Sequence, residues 1–222
     1  MLNLDTLNNR FFTDPNQRKF YLQKAEDLYK VAITTTQLSP LRILTLGRSW
    51  LSEYLMEEGK DVTQPSEIEA NDKFDLIIAL DEVLTRDADE ASQKKHIMQV
   101  AGLLNSNGIL LSSLRDYRNT NCHRRPLGDA CFNALGSDNV VTVEINELHA
   151  KDKQSWNQKI HVVSNDSDFD CINAGARRTL YFKQLAKYCA DSGADQFGVF
   201  KDTYWKGHLR RTPEHVTYAR AK

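Results

Sequence analysis

A chain of 222 residues, 41% hydrophobic and 27% charged, is long enough to bury one substantial core and short for two. Lys and Arg number 29 against 30 Asp and Glu, a formal net charge of -1. A general nucleic-acid binder would show a basic excess, because phosphate contacts dominate its affinity, and no apolar run approaches the roughly 18 residues that cross a bilayer.

The polar start "MLNLDTLNNRFFTDPNQRKF" has no signal-peptide core. The expectation is a cytoplasmic protein with no nucleic-acid or membrane partner. Within residues 1–38, "NQRKFYLQKAEDLYKVAI" sets Phe20, Leu22, Ala25, Leu28, Tyr29 and Ala32 on one stripe at helical spacing. Asp14 followed by Pro15 suits a helix start, with Asp as N-cap and Pro at the first helical position.

"LRILTLG" reads as a buried parallel strand stopped by Gly47. "RSWLSEYLMEEGK" follows as a helix closed by Gly59. "DVTQ" is a short strand. "FDLIIAL", Phe74 to Leu80, is a second long apolar strand, and "DEASQKKHIMQVAGLL" a helix with Ile97, Met98, Val100, Ala101 and Leu104 on its apolar side. "NSNG" reads as a turn and "ILLSSLRDY", Ile109 to Tyr117, as a third strand. Strands alternating with helices argue for a parallel sheet covered on both faces.

After about Asn119 the pattern changes. "NTNCHRRPLGDACFNALGSDN" reads as irregular, and "VVTVEINELH" and "QKIHVVS" as an antiparallel strand pair. "TLYFKQLAKYCADSGA" is an amphipathic helix ending near Gly193, and "QFGVFKD" and "EHVTYARA" form a closing strand pair. No repeat, low-complexity segment or linker interrupts the chain. One domain over 1–222 is expected, made of a helical segment 1–38, an α/β core 39–118 and a tail 119–222.

The cysteines Cys122, Cys131, Cys171 and Cys189 lack CxxC spacing, so structural thiols are expected and no metal site. There is no G-x-S-x-G, no P-loop, and Ser112-Ser113 fall inside a strand. No catalytic nucleophile or base stands out. The basic stretches "HRR" and "KGHLRRTPEH" read as solvated loops, while Tyr204 and Trp205 could stack a planar ligand or pack a neighbouring subunit of a homo-oligomer.

A glycine-ended first strand, "FDLIIALDEVL", the helix–turn–strand "IMQVAGLLNSNGILLSSLRDY" and a closing antiparallel pair, in that order, resemble the class I S-adenosylmethionine (SAM)-dependent methyltransferases. "RDY" after a strand, then an antiparallel excursion, a helix and a hairpin, looks like the small-molecule branch containing glycine N-methyltransferase. The likeness runs over about residues 10–220. It implies a Rossmann-like fold, mostly parallel with an antiparallel C-terminal pair, SAM as cofactor and a small-molecule substrate.

The same resemblance implies the site. Thr45 stands at the acid position of the family's acid-x-G-x-G-x-G loop, Gly47 at its first glycine, and Ser49 and Leu51 at the next two, where a Cβ is expected to crowd a cofactor that the family's glycines let lie against bare backbone. Arg48, or a helix N-terminal amide, could hold the methionine carboxylate. Gln64 stands where the family places an acid for the ribose hydroxyls, with Glu67 and Glu69 as nearby alternatives. Leu80 and Asp81 would border the cofactor, and Arg115, followed by Asp116 and Tyr117, would grip a substrate carboxylate through its fork. Read from the residues alone, Gly47 satisfies a turn, Asp81-Glu82 cap a helix, and Arg115 ends a strand in a surface ion pair.

Only 27 positions separate Gly47 from Phe74, so the family's third strand and its helix, which close over the adenine, are expected to be missing. Two functions stay open: methyl transfer from SAM to a small molecule, or a catalytically inactive protein of the same fold that binds or assembles with a protein partner.

Overall fold

The computed structural model describes residues 15–47, 49–80, 83–87, 89–115, 127–133, 140–148, 155–163, 169–200 and 214–222. Among the described residues, four helices, α1 (Pro15–Thr36), α2 (Trp50–Glu57), α3 (Glu90–Gly102) and α4 (Phe182–Ala190), accompany two sheets. The first sheet has six strands: β1 (Ile43–Thr45), β2 (Val62–Thr63), β3 (Phe74–Ala79), β4 (Leu104–Arg115), β9 (Ala194–Phe200) and β10 (Glu214–Ala221). Their order is β2-β1-β3-β4-β10-β9. The first four run parallel, and β10 lies antiparallel to both β4 and β9. The mostly parallel sheet and the closing antiparallel pair expected from the sequence are both present.

Side-chain alternation along the strands builds a core on each face. Ile43, Leu76, Ile78, Ile109 and Leu111 pack with Ala25 and Leu28 of α1 and Leu51 and Leu55 of α2. Leu44, Ile77, Ala79, Leu110 and Leu114 pack with Ile97 and Val100 of α3 and Leu185 and Tyr188 of α4. The α1 stripe read from the sequence faces the core through Ala25, Leu28 and Ala32. Two ring contacts join α1 to α2: Tyr21 stacks on Trp50 at 5.1 Å, and Tyr29 tilts against Tyr54 at 6.2 Å.

Gly59 stops α2 as expected. At φ +67° its N–H reaches Met56 O, while Lys60 N–H reaches back to Leu55 O, the two bonds of a Schellman end. Between α2 and β3 the chain supplies only the two-residue β2 and a 3-10 turn, Pro65–Glu67. The missing third strand is thus a fact of the fold, and β2 is an edge. Two readings need correction here. "DVTQ" shortens to Val62–Thr63 because Gln64 already leads into the 3-10 turn. "NSNG" lies within β4, which begins at Leu104; Asn107 takes φ +65°, and the register against β3 shifts between Phe74 and Leu76. Between the Phe74–Leu104 and Leu76–Ile109 pairs β4 advances five residues to β3's two, and residues accommodated inside a strand in this way read locally as a turn. Gly108 is required there, since a Cβ would lie 2.8 Å from Phe74 O.

The second sheet is an antiparallel meander of β5 (Leu127–Asn133), β6 (Val140–Leu148), β7 (Ser155–Val163) and β8 (Phe169–Arg178). The expected β6–β7 pairing is present. Strand β5 falls in a stretch read as irregular, and β8 covers a segment the sequence reading left unassigned. Neither "LGDACFN" nor "FDCINAGARR" alternates cleanly, so cross-strand pairing rather than local pattern defines them.

At the amino ends of the strands, Asp75 accepts N–H bonds from Leu41 and Arg42 at 2.9 and 3.0 Å and the Asn105 amide at 2.7 Å. Burial opposes its charge, but these donors outweigh it and hold the carboxyl below the ordinary aspartate range. A depressed folded pKa gives stability that is present above the unfolded pKa and lost as pH falls through the folded one. Asp75→Ala should therefore cost about 1 kcal/mol near neutral pH, after allowing for solvent screening. Urea titrations of the two proteins should converge as the pH falls through and below the ordinary aspartate range; a difference that is constant with pH would exclude the charge as its origin.

Candidate functional site

The chain leaves β1, forms β2 on one side, and returns to form β3 on the other. The carboxyl ends of β1 and β3 therefore bound a topological switch point, where open α/β sheets hold ligands. Several residues singled out in the sequence meet there.

Gly47 has φ +124°, and the nearest described atom to a Cβ built on it is Val83 Cγ2, at 3.9 Å. A side-chain-bearing residue would be strained at this φ. Among the described residues other than its chain neighbours, only Val83 comes within 4 Å of that Cβ position. Thr45 ends β1 on the α1–α2 face and is fully buried, yet its hydroxyl has no hydrogen-bond partner among the described residues. Such an atom is costly unless something pairs with it. The β1–β2 register, Ile43 with Val62 and Leu44 with Thr63, carried one step further sets Gln64 level with Thr45. Gln64 is half-buried, and its N–H donates to Glu67 Oε2 at 2.7 Å. Leu80, just beyond β3, is buried in the α1–α2 core.

Ser49 and Leu51, which stand for two of the loop's glycines, are turned into the fold. Ser49 is the N-cap of α2: its Oγ accepts Ser52 N–H at 3.1 Å and lies 2.7 Å from Ser52 Oγ. Leu51 is fully buried in the core. The crowding expected of these two residues is therefore not produced by the ends of their side chains. Arg48, Asp81, Asp116 and Tyr117 lie outside the described residues, as does the side chain of Arg115. The Arg115 backbone closes β4 at the same end of the sheet, opposite Glu214 of β10.

The structure adds two residues that the sequence reading passed over. Val83, in a 3-10 turn Val83–Thr85, forms the wall facing Gly47. Gln93 of α3 is fully buried and bonded to that turn. A signal for Gln93 was present: it precedes Ile97, Val100 and Ala101 at the spacing of the buried stripe of α3.

Thiol and hydroxyl chemistry find no support among the described residues. Burial pushes the Cys189 thiol up to about 12, far from a reactive thiolate. Ser112 and Thr217 share a hydroxyl pair at 2.8 Å inside the sheet. No helix among the described residues is long and apolar enough to cross a membrane.

No family model matches the sequence, and no curated protein matches it. Solved structures match along nearly its whole length. An S-adenosylmethionine-dependent methyltransferase from Clostridium acetobutylicum aligns over 99% of this chain and 99% of its own, with a TM-score of 0.62 at 14% identity. CalS10, an amino pentose methyltransferase from Micromonospora echinaspora with SAM bound, covers 100% of this chain and 98% of its own, at 0.62 and 11%. The sugar N-methyltransferase KedS8 from Streptoalloteichus covers 100% and 93%, at 0.64 and 11%. Identities this low establish a shared fold.

Proposed function

We propose that this chain, which has the fold of the class I SAM-dependent methyltransferases, binds SAM weakly at the carboxyl ends of β1, β2 and β3 and acts on a small molecule. The observation that carries the reading is the glycine-ended turn at the switch point: Gly47 sits at φ +124° with Val83 Cγ2 the described atom that an added Cβ would meet, and two residues earlier the buried Thr45 hydroxyl has no partner among the described residues. An adenosyl ligand would lie against the bare backbone of such a turn. Bound SAM would supply an activated methyl group.

The chain's own residues have simpler tasks. Thr45 and Gln64 offer a hydroxyl and an amide to the cofactor, with Leu80 and Asp81 along its edge and Arg48 toward its carboxylate. Arg115, with Asp116 and Tyr117 after it, holds an anionic or polar group of the substrate. Rate enhancement comes from placement of a nucleophile in line with the methyl carbon. Enzymes of this fold that act on amino sugars and sugars make an amine-bearing small molecule the first substrate class to test.

The departures set the affinity. Neither Thr45 nor Gln64 is charged, and replacing a carboxylate partner of the ribose with a neutral group forfeits about 1.5–3 kcal/mol, roughly ten- to a hundredfold. Calorimetric titration with SAM and S-adenosylhomocysteine is the test. Dissociation constants well above the micromolar range are expected. Low-micromolar or tighter binding would show that neutral residues suffice. No binding at millimolar SAM would favour a second reading, that the fold persists as a binding or assembly subunit; the absence of both carboxylates is the observation on its side.

A further inference from the structure

We propose that Gln93 is a positioning residue that sets the wall over Gly47 and ties it to the second sheet. The inference rests on the reading of that crevice as the cofactor site.

Gln93 occupies an apolar-stripe position of α3 and has no solvent exposure. Its Nε2 donates to Leu84 O at 3.3 Å and to Arg178 O at 3.1 Å. Two carbonyl acceptors fix which end of the amide faces them. Its Oε1 is left buried and without a partner among the described residues. An unpaired buried acceptor is unfavourable, so an apolar side chain would suit this stripe better if packing were the only requirement. What the amide adds is a link between two segments 94 positions apart in the chain.

The first segment is the Val83–Thr85 turn. Val83 is the residue bordering the space over Gly47, and the turn's own bond, Val83 N–H to Leu80 O, is long at 3.4 Å. The second segment is the end of β8, the last strand of the second sheet. The first turn of α3 holds this end by one further contact. The Arg178 guanidinium meets Glu90 Oε2 at 3.2 Å, and Glu90 is itself held by α4, whose Tyr188 OH donates to Glu90 Oε1 at 3.0 Å. Gln93 extends that clamp to the turn. A shift of β8 is thereby passed to Val83, and the width of the crevice depends on one buried amide.

Gln93→Met keeps the length and removes the donors; Gln93→Glu keeps the shape and turns an acceptor toward two carbonyls. Ile97→Val, one turn along the same buried stripe, is the control for general destabilisation. Amide hydrogen exchange of the free protein and calorimetric SAM binding are the readouts. In both Gln93 variants, exchange at 83–87 and 179–184 should rise about tenfold or more relative to the amides of β3 and β4, and SAM affinity should fall about tenfold. Ile97→Val, at a similar loss of Tm, should show neither effect. Uniform or unchanged exchange in the Gln93 variants overturns the proposal. So does SAM affinity that is unchanged, or that falls equally in Ile97→Val. If the native protein binds no SAM, the cofactor reading fails separately, and the exchange pattern alone decides whether Gln93 couples the two segments.

Discussion

Phe74→Ala should destabilise the fold by about 3–5 kcal/mol, the range for deleting a buried aromatic ring. Phe74 is fully buried. It begins β3, and its N–H donates to Leu103 O at 2.9 Å. Its ring belongs to the α3–α4 core, with the Arg42 guanidinium 5.2 Å from its centroid. Its carbonyl lies against Gly108, where no side chain can enter. Rigid backbone on that side leaves the surroundings little freedom to collapse into the void, which places the cost toward the upper part of the range. Urea denaturation followed by circular dichroism would measure it. A loss under about 1.5 kcal/mol with an unchanged denaturant slope would mean that the site repacks.

Gly47→Ala should abolish measurable SAM binding and also cost about 1–3 kcal/mol of stability, the strain of a non-glycine residue in a conformation it rarely adopts. The cost is conformational and not steric, because the only described atom within 4 Å of the added Cβ is Val83 Cγ2, at 3.9 Å. Either the backbone keeps φ +124° under strain, with a methyl group over the turn, or the loop relaxes and the turn changes shape. Gly47→Asn should rescue little, since asparagine tolerates the ordinary left-handed region near φ +57° better than φ +124°. Paired thermal melts and calorimetry test this. An alanine variant with native Tm and native SAM affinity would show that Gly47 serves neither backbone nor ligand.

The site was legible to the extent that local pattern encodes it. A strand ending in one glycine located the Gly47 loop, and the short Gly47–Phe74 interval announced the missing third strand. What Ser49 and Leu51 do was not legible. Their positions in the motif suggested crowding, whereas helix phase turns Leu51 into the core and capping occupies Ser49. Val83 was hidden for a related reason: its role depends on a turn folding back over Gly47, a contact between residues 36 positions apart.

By itself, the sequence determined the parallel core, its flanking helices, the stops at Gly47 and Gly59, and the closing antiparallel pair. Hydrophobic period and glycine geometry act over a few residues and can be read there. Only the tertiary structure decided that "LGDACFN" and "FDCINAGARR" are strands, that "NSNG" is taken up by a register shift within β4, and that Gln93 bridges the Val83 turn to β8. Each of these depends on hydrogen bonds or close packing between segments distant in the chain, and such pairings leave little trace in local composition because either partner alone is compatible with several conformations.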